Sequence, residues 1–217
     1  MLKELKKKRR YLQLSTVLGL PLVAIGGWFY PVLGFLLLGC MIAGVGIAFY
    51  RGRAWCDWMC PRGSFFDLLF SSVSPQKRIP SFLRGKIFRS FMLGMIFLVL
   101  GTQLYLAWGR FDQMGLAMVR VLTATTIAGI MLALFYHPRT WCHICPVGTL
   151  GNWVSRDRHP LVVGQSCTKC KICSKACPMQ LQPYEFASVG LMSDSDCLKC
   201  SSCIASCPKK ALGFADV

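Results

Sequence analysis

Two cysteine runs near the end of the chain constrain its fold more than any other feature. Each has the form Cys-x2-Cys-x2-Cys-x3-Cys-Pro, the first starting at Cys167 and the second at Cys197. This is the spacing of bacterial ferredoxins, in which three cysteines of a run ligate one 4Fe-4S cluster and the fourth ligates the other cluster. The sequence therefore predicts a small cytoplasmic α+β domain over residues 159–217, folded around two clusters.

The crossed ligation defines the expected ligands of the two clusters. One predicted set is Cys167, Cys170, Cys173 and Cys207. The other predicted set is Cys197, Cys200, Cys203 and Cys177. Zinc is a poor alternative, because four cysteines within eleven residues are closer than the usual zinc-knuckle spacing. The odd total of thirteen cysteines and their tight spacing also indicate metal ligation in a reducing compartment rather than disulfides.

Residues 1–158 have the composition of a membrane domain. The whole chain is 54% hydrophobic and only 16% charged, against about 45–50% and 25% in soluble proteins. No charged residue occurs between Leu12 and Tyr50, which leaves room for two spans of roughly 20 residues. A second apolar block from Phe91 to Tyr136 is interrupted near Arg110. We predict an all-α domain of four transmembrane helices in two hairpins, at residues 12–28, 32–50, 91–109 and 116–136.

The basic residues predict the orientation of this domain. Fourteen Lys and Arg residues lie in residues 1–10 and 51–90, whereas Arg110 and Arg120 are the basic residues near the opposite turns. Because cytoplasmic loops are enriched in Lys and Arg, both termini are expected in the cytoplasm, with the chain in the inner membrane. The net charge of +16 is then accounted for by the membrane rim, and we expect no nucleic-acid partner.

A second motif occurs twice, once after each predicted hairpin. The segments 49–63 and 135–148 align with one deletion and share Phe-Tyr, Arg-x-Trp-Cys and Cys-Pro-x-Gly. Two parallel copies place equivalent motifs at the same depth on one face of the membrane. We therefore expect the four motif cysteines to surround one metal centre, namely Cys56, Cys60, Cys142 and Cys145. Iron-sulfur ligation is favoured, and zinc or two protonated cysteine pairs remain alternatives.

Several other residues are given structural interpretations. Segments 65–70 and 82–89 are predicted as amphipathic helices on the cytoplasmic surface. Asp57 and Asp67 are interpreted as solvated surface acids, and Cys40 as a small buried hydrophobe. His137 and His143 are interpreted as hydrogen-bonding neighbours of the second motif.

Some function classes are disfavoured by what the sequence lacks. It contains neither a P-loop nor a dinucleotide-binding fingerprint, which argues against a self-contained nicotinamide or flavin reductase. No histidine lies in the middle of a predicted span, so the axial ligands that b-type haem needs are missing.

With its four predicted spans, paired Cys-Pro motifs and double-cluster domain, the chain resembles the NapH-type membrane polyferredoxins. These are quinol-dehydrogenase iron-sulfur subunits, with relatives in the NosR and CcoG groups. The resemblance implies an electron-transfer subunit of an oxidoreductase complex, linking the quinone pool to redox partner proteins through 4Fe-4S clusters. One departure from the family pattern is Cys142-x2-Cys145, where the family has three intervening residues. The alternatives are a CcoG-like assembly factor for metal cofactors and a non-redox membrane scaffold.

Overall fold

The computed structural model describes residues 2–155 and 159–215. The predicted domain boundary between residues 158 and 159 borders segment 156–158, which lies outside the described residues. An all-helical part precedes this boundary, and a small part with both strands and helices follows it.

Within residues 2–155, the structure has one π-helical turn at Leu22–Gly26, one 3-10 turn at Pro31–Gly34 and ten α-helices. The α-helices are α1 Leu2–Thr16, α2 Gly19–Pro21, α3 Phe35–Arg51, α4 Ala54–Trp58, α5 Pro61–Phe70, α6 Ser81–Arg84, α7 Lys86–Leu106, α8 Phe111–Phe135, α9 Thr140–Ile144 and α10 Pro146–Val154.

Three helical segments in the described part of the chain are long and apolar enough to cross a membrane. They are Pro31–Arg51, Lys86–Leu106 and Phe111–Phe135. The predicted four-helix arrangement is therefore not reproduced, because segment 12–28 is not one helix: α1 ends at Thr16, and α2 gives way to the π-helical turn. Pro21 lies at this change of helix type, and proline has no backbone N–H to continue the α-helical pattern.

The chain from α1 to the 3-10 turn at Pro31–Gly34 nevertheless contacts both ends of the helical bundle. At one end, Arg9 contacts Asp57 beside the first cysteine motif. At the other end, the backbone of Gly115 near the start of α8 approaches Pro31 so closely that a Cβ on Gly115 would lie 2.1 Å from the Pro31 carbonyl oxygen. A Cβ on Gly34 would likewise lie 2.2 Å from the Gly115 carbonyl oxygen. Both glycines are needed here because only they allow these two backbones to touch.

The two stretches predicted as surface helices have more buried positions than expected. Helix α5 packs against α8 and buries Phe66 completely. Its neighbours in the core are Ile79, Leu83, Trp141 and Ile144. The second stretch is divided between α6 and the start of α7, which begins at Lys86 rather than at residue 91. Both stretches therefore bury one face and leave apolar side chains such as Leu69, Phe82 and Ile87 exposed.

The C-terminal part is a three-stranded antiparallel sheet with two short α-helices. Its elements are β1 Leu161–Val163, α11 Ile172–Lys175, a 3-10 turn at Pro183–Ala187, β2 Leu191–Met192, α12 Ser202–Ser206 and β3 Leu212–Phe214. The strand order is β2-β1-β3, and Leu161 pairs with both Met192 and Phe214. We call this part the ferredoxin-like domain.

Candidate iron-sulfur sites

The two cysteine runs of the ferredoxin-like domain adopt the same backbone path. Residues in equivalent positions of the two runs have positive φ angles, in the pairs Lys169 and Lys199, Lys171 and Ser201, and Gln180 and Lys210. None of these is glycine, and such non-glycine residues are held by their surroundings, commonly at functional sites. Alternating right- and left-handed residues point successive backbone N–H groups to one side, a geometry that suits negatively charged groups such as iron-sulfur clusters.

The ferredoxin-like domain contains two small cavities. Each is lined by three cysteines of one run and by the fourth cysteine of the other run. We call the first group the outer set, with Cys167, Cys170, Cys173 and Cys207 around one cavity. The inner set is Cys177, Cys197, Cys200 and Cys203 around the other cavity. The structure thus brings together the two crossed sets of four cysteines that the sequence predicts.

The surroundings of both sets fit an iron-sulfur cluster. Apart from the cysteines, the walls are mostly apolar, with Leu161, Met179 and Leu198 around the inner set. Burial raises the pKa of the Cys177 thiol to about 12, and burial also raises the pKa of Cys203. Backbone N–H groups of Met179 and Leu181 donate to the Cys177 sulfur and oppose this shift. The iron atoms of a bound cluster would supply the positive charge that keeps such buried thiols ionised.

No group of three or more His, Cys, Asp or Glu side chains in residues 2–155 and 159–215 is arranged to hold a single metal ion. The ligands of a 4Fe-4S cluster need no such arrangement, because each cysteine binds a different iron atom.

The four membrane-motif cysteines also lie together. Cys56, Cys60, Cys142 and Cys145 line one cavity of about 480 Å³. We call these four the membrane set. Cys60 and Cys145 each stand directly before a proline that begins a helix, α5 or α10. Burial raises the pKa of Cys142 to about 11, and burial raises the pKa of Cys60 with added repulsion from Cys56. These thiols, like those of the inner set, need a metal to be ionised at neutral pH.

Two arginines hold the membrane motifs against each other in a crossed arrangement. Arg53, in the first motif, donates to the carbonyl oxygen of Cys142 at 2.7 Å. Arg139, in the second motif, donates to the carbonyl oxygen of Cys56 at 2.7 Å. The two side chains are fully buried, with 1% and 0% of their surface exposed. Each guanidinium therefore joins its own copy of the motif to the other copy.

Glycines in both motifs make room for these arginines. A Cβ on Gly63 would lie 2.7 Å from the Cys56 carbonyl oxygen and 3.0 Å from a guanidinium nitrogen of Arg139. A Cβ on Gly148 would lie 2.7 Å from both the Cys142 carbonyl oxygen and a guanidinium nitrogen of Arg53. The shared Cys-Pro-x-Gly pattern therefore has a steric cause in the two copies.

The carboxylates that neutralise the two arginines come from different parts of the chain. Arg139 donates to Asp67 at 2.7 Å and to Asp57 at 3.1 Å. Asp57 is fully buried and also pairs with Arg9 at 2.6 Å, so its interpretation as a solvated acid is wrong. Asp67 is only 18% exposed and belongs to the same group, which corrects that interpretation for it as well.

In the second motif the positions equivalent to these two aspartates are occupied by His143 and Asn152. The carboxylate there is Asp196 of the ferredoxin-like domain. It accepts hydrogen bonds from Arg53 at 2.6 Å, from Asn152 at 2.7 Å and from Arg89 at 2.9 Å. The ferredoxin-like domain thus completes a charge pair that the second copy of the repeat leaves open.

Asp196 is held in its ionised form. Burial by itself would raise its pKa, but the hydrogen bond to His143 and the charges of Arg53 and Arg89 hold the pKa well below its usual range. Burial lowers the pKa of His143 to about 4, so this histidine is neutral near pH 7. Its Nδ1 lies 3.5 Å from an oxygen of Asp196, which belongs to the ferredoxin-like domain and not to the second motif.

Three residues of the site were not predicted from the sequence, namely Arg53, Arg139 and Asp196. The available signal was that both arginines occupy the same position of the repeated Arg-x-Trp-Cys pattern. For Asp196, the only signal in the sequence was its position directly before Cys197. Cys40 was interpreted as a small buried hydrophobe, and in the structure it also lines the cavity of the membrane set.

The contacts between the ferredoxin-like domain and the helical part lie next to the inner set. Asp196, which directly precedes Cys197, binds Arg53 of the first motif. Arg9 reaches both Asp57 and Ser202, which is next to Cys203. The inner set therefore lies beside the membrane motifs.

Comparison with known proteins finds iron-sulfur domain families over the regions that contain these cysteines. A family model described as a 4Fe-4S binding domain matches twice, at residues 33–87 and 119–163. Another, described as a 4Fe-4S dicluster domain, matches residues 166–212. The double match covers one long helix and one Cys-Pro motif in each copy, as the repeat requires.

Relatives are found among ferredoxin-type proteins. An uncharacterised protein of Methanocaldococcus jannaschii is 28% identical over 159 residues, covering 67% of each chain. The methylamine utilization ferredoxin-type protein MauN of Methylobacillus flagellatus is 29% identical over 164 residues, which cover 70% of this chain and 56% of that protein. MauN of Paracoccus denitrificans is 26% identical over 176 residues, covering 71% and 58%. No solved structure matches the chain.

The fold and the matches define an iron-sulfur electron-transfer protein with 4Fe-4S ferredoxin-type domains. Among proteins of this kind, the chain is homologous to the MauN ferredoxin-type proteins.

We expect Asp196→Asn to loosen the attachment of the ferredoxin-like domain. Removing one partner of a buried ion pair leaves uncompensated charge and costs about 3–5 kcal/mol. Urea denaturation in detergent micelles should therefore show a clearly lower midpoint. Asp194→Asn is the matched control, since the Asp194 side chain accepts the backbone N–H of Asp196 at 2.9 Å and asparagine keeps that acceptor. Equal midpoints for the two variants would contradict a bridging role for Asp196.

Proposed function

We propose that the chain is a membrane-anchored protein that passes electrons between the quinone pool and redox partner proteins, as its resemblance to NapH-type polyferredoxins implies. The observation that carries this proposal is the cavity of the membrane set. Its wall is formed by the four cysteines and their motifs, by residues of the three candidate spans and by residues of segment 19–23. A single space therefore adjoins both the thiols and the apolar helices that would face lipid.

The proposed cofactors are one 4Fe-4S cluster at the outer set, one at the inner set and a third at the membrane set. Each cluster would take up and release one electron at a potential set by its surroundings. Support for the first two comes from the crossed cysteine cavities. Support for the third comes from the shared cavity and from the two matches to a 4Fe-4S binding domain.

Buried arginines around the membrane set fit this third cluster. Arg53 and Arg139 reach the carbonyl groups of its first cysteines. Arg62 lines the same cavity and donates to Thr125 at 2.9 Å. Because four thiolates outweigh the charge of the iron-sulfur core, nearby cations favour the ionised ligands.

The cavity also fits the proposed quinone. Its volume of about 480 Å³ lies within the range of small-molecule sites, which is about 300–1,000 Å³. Most of its lining is apolar, including Leu37, Ile96, Phe97 and Leu100. A few polar groups, such as Arg62 and Thr125, could orient a quinone oxygen.

Iron content tests the cluster assignment. We expect anaerobically purified protein to hold about twelve iron atoms, with Cys60→Ser lowering this to about eight because the membrane set loses a ligand. Cys40→Ser is the matched control, because Cys40 lines the same cavity outside the Cys-Pro motifs. Inductively coupled plasma mass spectrometry measures both variants. Unchanged iron in Cys60→Ser, or zinc in place of iron, would overturn the third cluster.

Filling the cavity tests the quinone proposal. Gly39 lines it, and a Cβ there would meet nothing within 4 Å. Gly39→Phe should therefore occupy the space without disturbing the backbone and lower quinone-linked turnover by about tenfold or more, the loss of about 1.4 kcal/mol of binding. Gly46→Phe, on the same helix and equally open, is the control. The iron-sulfur absorbance of both variants should match the wild type.

Equal turnover of Gly39→Phe and Gly46→Phe with a soluble quinone would refute the cavity as the quinone site. A loss in both variants would instead point to helix α3 as a whole and would also count against it.

We further propose that the three cysteine sets and both termini lie on the cytoplasmic side of the inner membrane. The basic residues of 1–10 and 51–90 support this orientation. The contact of Arg9 with Asp57 supports a common side for the N-terminus and the first cysteine motif. Alkaline phosphatase, which is active only after export, should be active when fused after Arg110 and inactive when fused after Ser72. The reverse pattern would invert the topology.

A further inference from the structure

The outer set is the part of the molecule through which a soluble protein could reach a redox centre. All thirteen cysteines lie in the described part of the chain, and Cys170 of the outer set is the exposed one among them. The inner set, by contrast, faces the membrane motifs through Asp196 and Ser202. Electron transfer between proteins needs close approach, so a soluble partner would meet the outer set first.

Five lysines lie within three residues of an outer-set cysteine in the sequence. We call them the lysine rim, and all are exposed, namely Lys169, Lys171, Lys175, Lys209 and Lys210. Lys209 lines the cavity of the outer set itself. Lys171 lies 5.8 Å from the ring centre of Tyr184, another residue of that cavity. Lys209 and Lys171 therefore lie at the outer-set cavity, and Lys169 directly precedes Cys170 in the sequence.

The rim differs from the other basic residues of the site in its pairing. Arg9, Arg53, Arg89 and Arg139 all form ion pairs with aspartates. None of the rim lysines forms an ion pair with a carboxylate among residues 2–155 and 159–215. The exposed Glu185 beside Tyr184 is not part of any of these ion pairs. Five uncompensated positive charges around one exposed redox site create a field that attracts negatively charged surfaces.

An apolar side chain completes the surface. Ile172 stands between Lys171 and Cys173 and is 42% exposed. A small apolar centre inside a polar, charged rim is the usual composition of a transient protein interface. Charge attraction speeds the encounter, and the apolar centre gives a short-range contact.

We propose that the lysine rim is the docking surface for an acidic, soluble one-electron carrier protein. This inference rests on the proposed function, because it assumes a redox-active cluster at the outer set. In the encounter, one electron leaves the reduced centre of the carrier, which is oxidised, and the ferredoxin-like domain is reduced by that electron. No covalent bond forms or breaks, and no proton is transferred.

The test uses the full-length, iron-loaded protein in detergent micelles, with reduced flavodoxin, an acidic flavin protein, as the probe. The rim variant is Lys175→Glu with Lys210→Glu, neither of which lines a cysteine cavity. The control is Lys77→Glu with Arg78→Glu, two exposed basic residues outside the rim with the same change of charge. Dissociation constants and electron-transfer rates are measured at low and high salt.

We expect the wild type to bind flavodoxin at low salt and to lose binding as salt screens the charges. The rim variant should bind about tenfold or more weakly at low salt, and the control should stay within about twofold of the wild type. Reduction by dithionite at high salt, where the charge of this small anionic reductant is screened, should proceed at the same rate in all three proteins.

Equal binding of flavodoxin by the rim variant and the wild type would overturn the docking proposal, as would an equal loss in the control. Binding that salt leaves unchanged would also overturn it. These failures are distinct from failure of the proposed function, which would show as missing iron-sulfur absorbance or as no reduction by dithionite in the wild type.

Discussion

The arrangement of this protein depends on buried arginines that cross between two copies of one motif. Arg53 and Arg139 each bind the carbonyl group of a cysteine in the other copy. A buried guanidinium without a carboxylate would cost several kcal/mol, so each crossing requires a partner. Asp57 and Asp196 meet this requirement on the two sides. The same ion pairs thus position the membrane set and attach the ferredoxin-like domain.

The asymmetry between the two copies determines where that domain docks. Where the first copy has its own aspartates, the second has His143 and Asn152, which carry no negative charge. Asp196 fills the position, and because it directly precedes Cys197, the inner set is brought toward the membrane motifs. A duplicated motif that had stayed symmetric would satisfy its own charges and leave the domain without this anchor.

The outer set and the membrane set have different surroundings. The outer set lies at an exposed, lysine-rich surface, and the membrane set lies at an apolar cavity bordered by candidate spans. The inner set lies beside the membrane motifs, through the contacts of Asp196 and Ser202. One end is therefore suited by charge to a protein in water, and the other end by its apolar lining to a small molecule dissolved in lipid.

The sequence by itself determined the local features. Cysteine spacing predicted the two crossed cysteine sets, because in this run three cysteines ligate one cluster and the fourth ligates the other cluster. The repeated Trp-Cys and Cys-Pro steps likewise indicated that four distant cysteines meet. Only the tertiary structure decided which charges are buried: Asp57 and Arg53 look like ordinary surface residues in a basic loop, yet neither is exposed. The break in the first predicted span could not be predicted from hydropathy either. Hydropathy measures composition and does not register the change of helix type at Pro21. Burial and pairing arise from contacts between residues far apart in sequence, and no local pattern contains them.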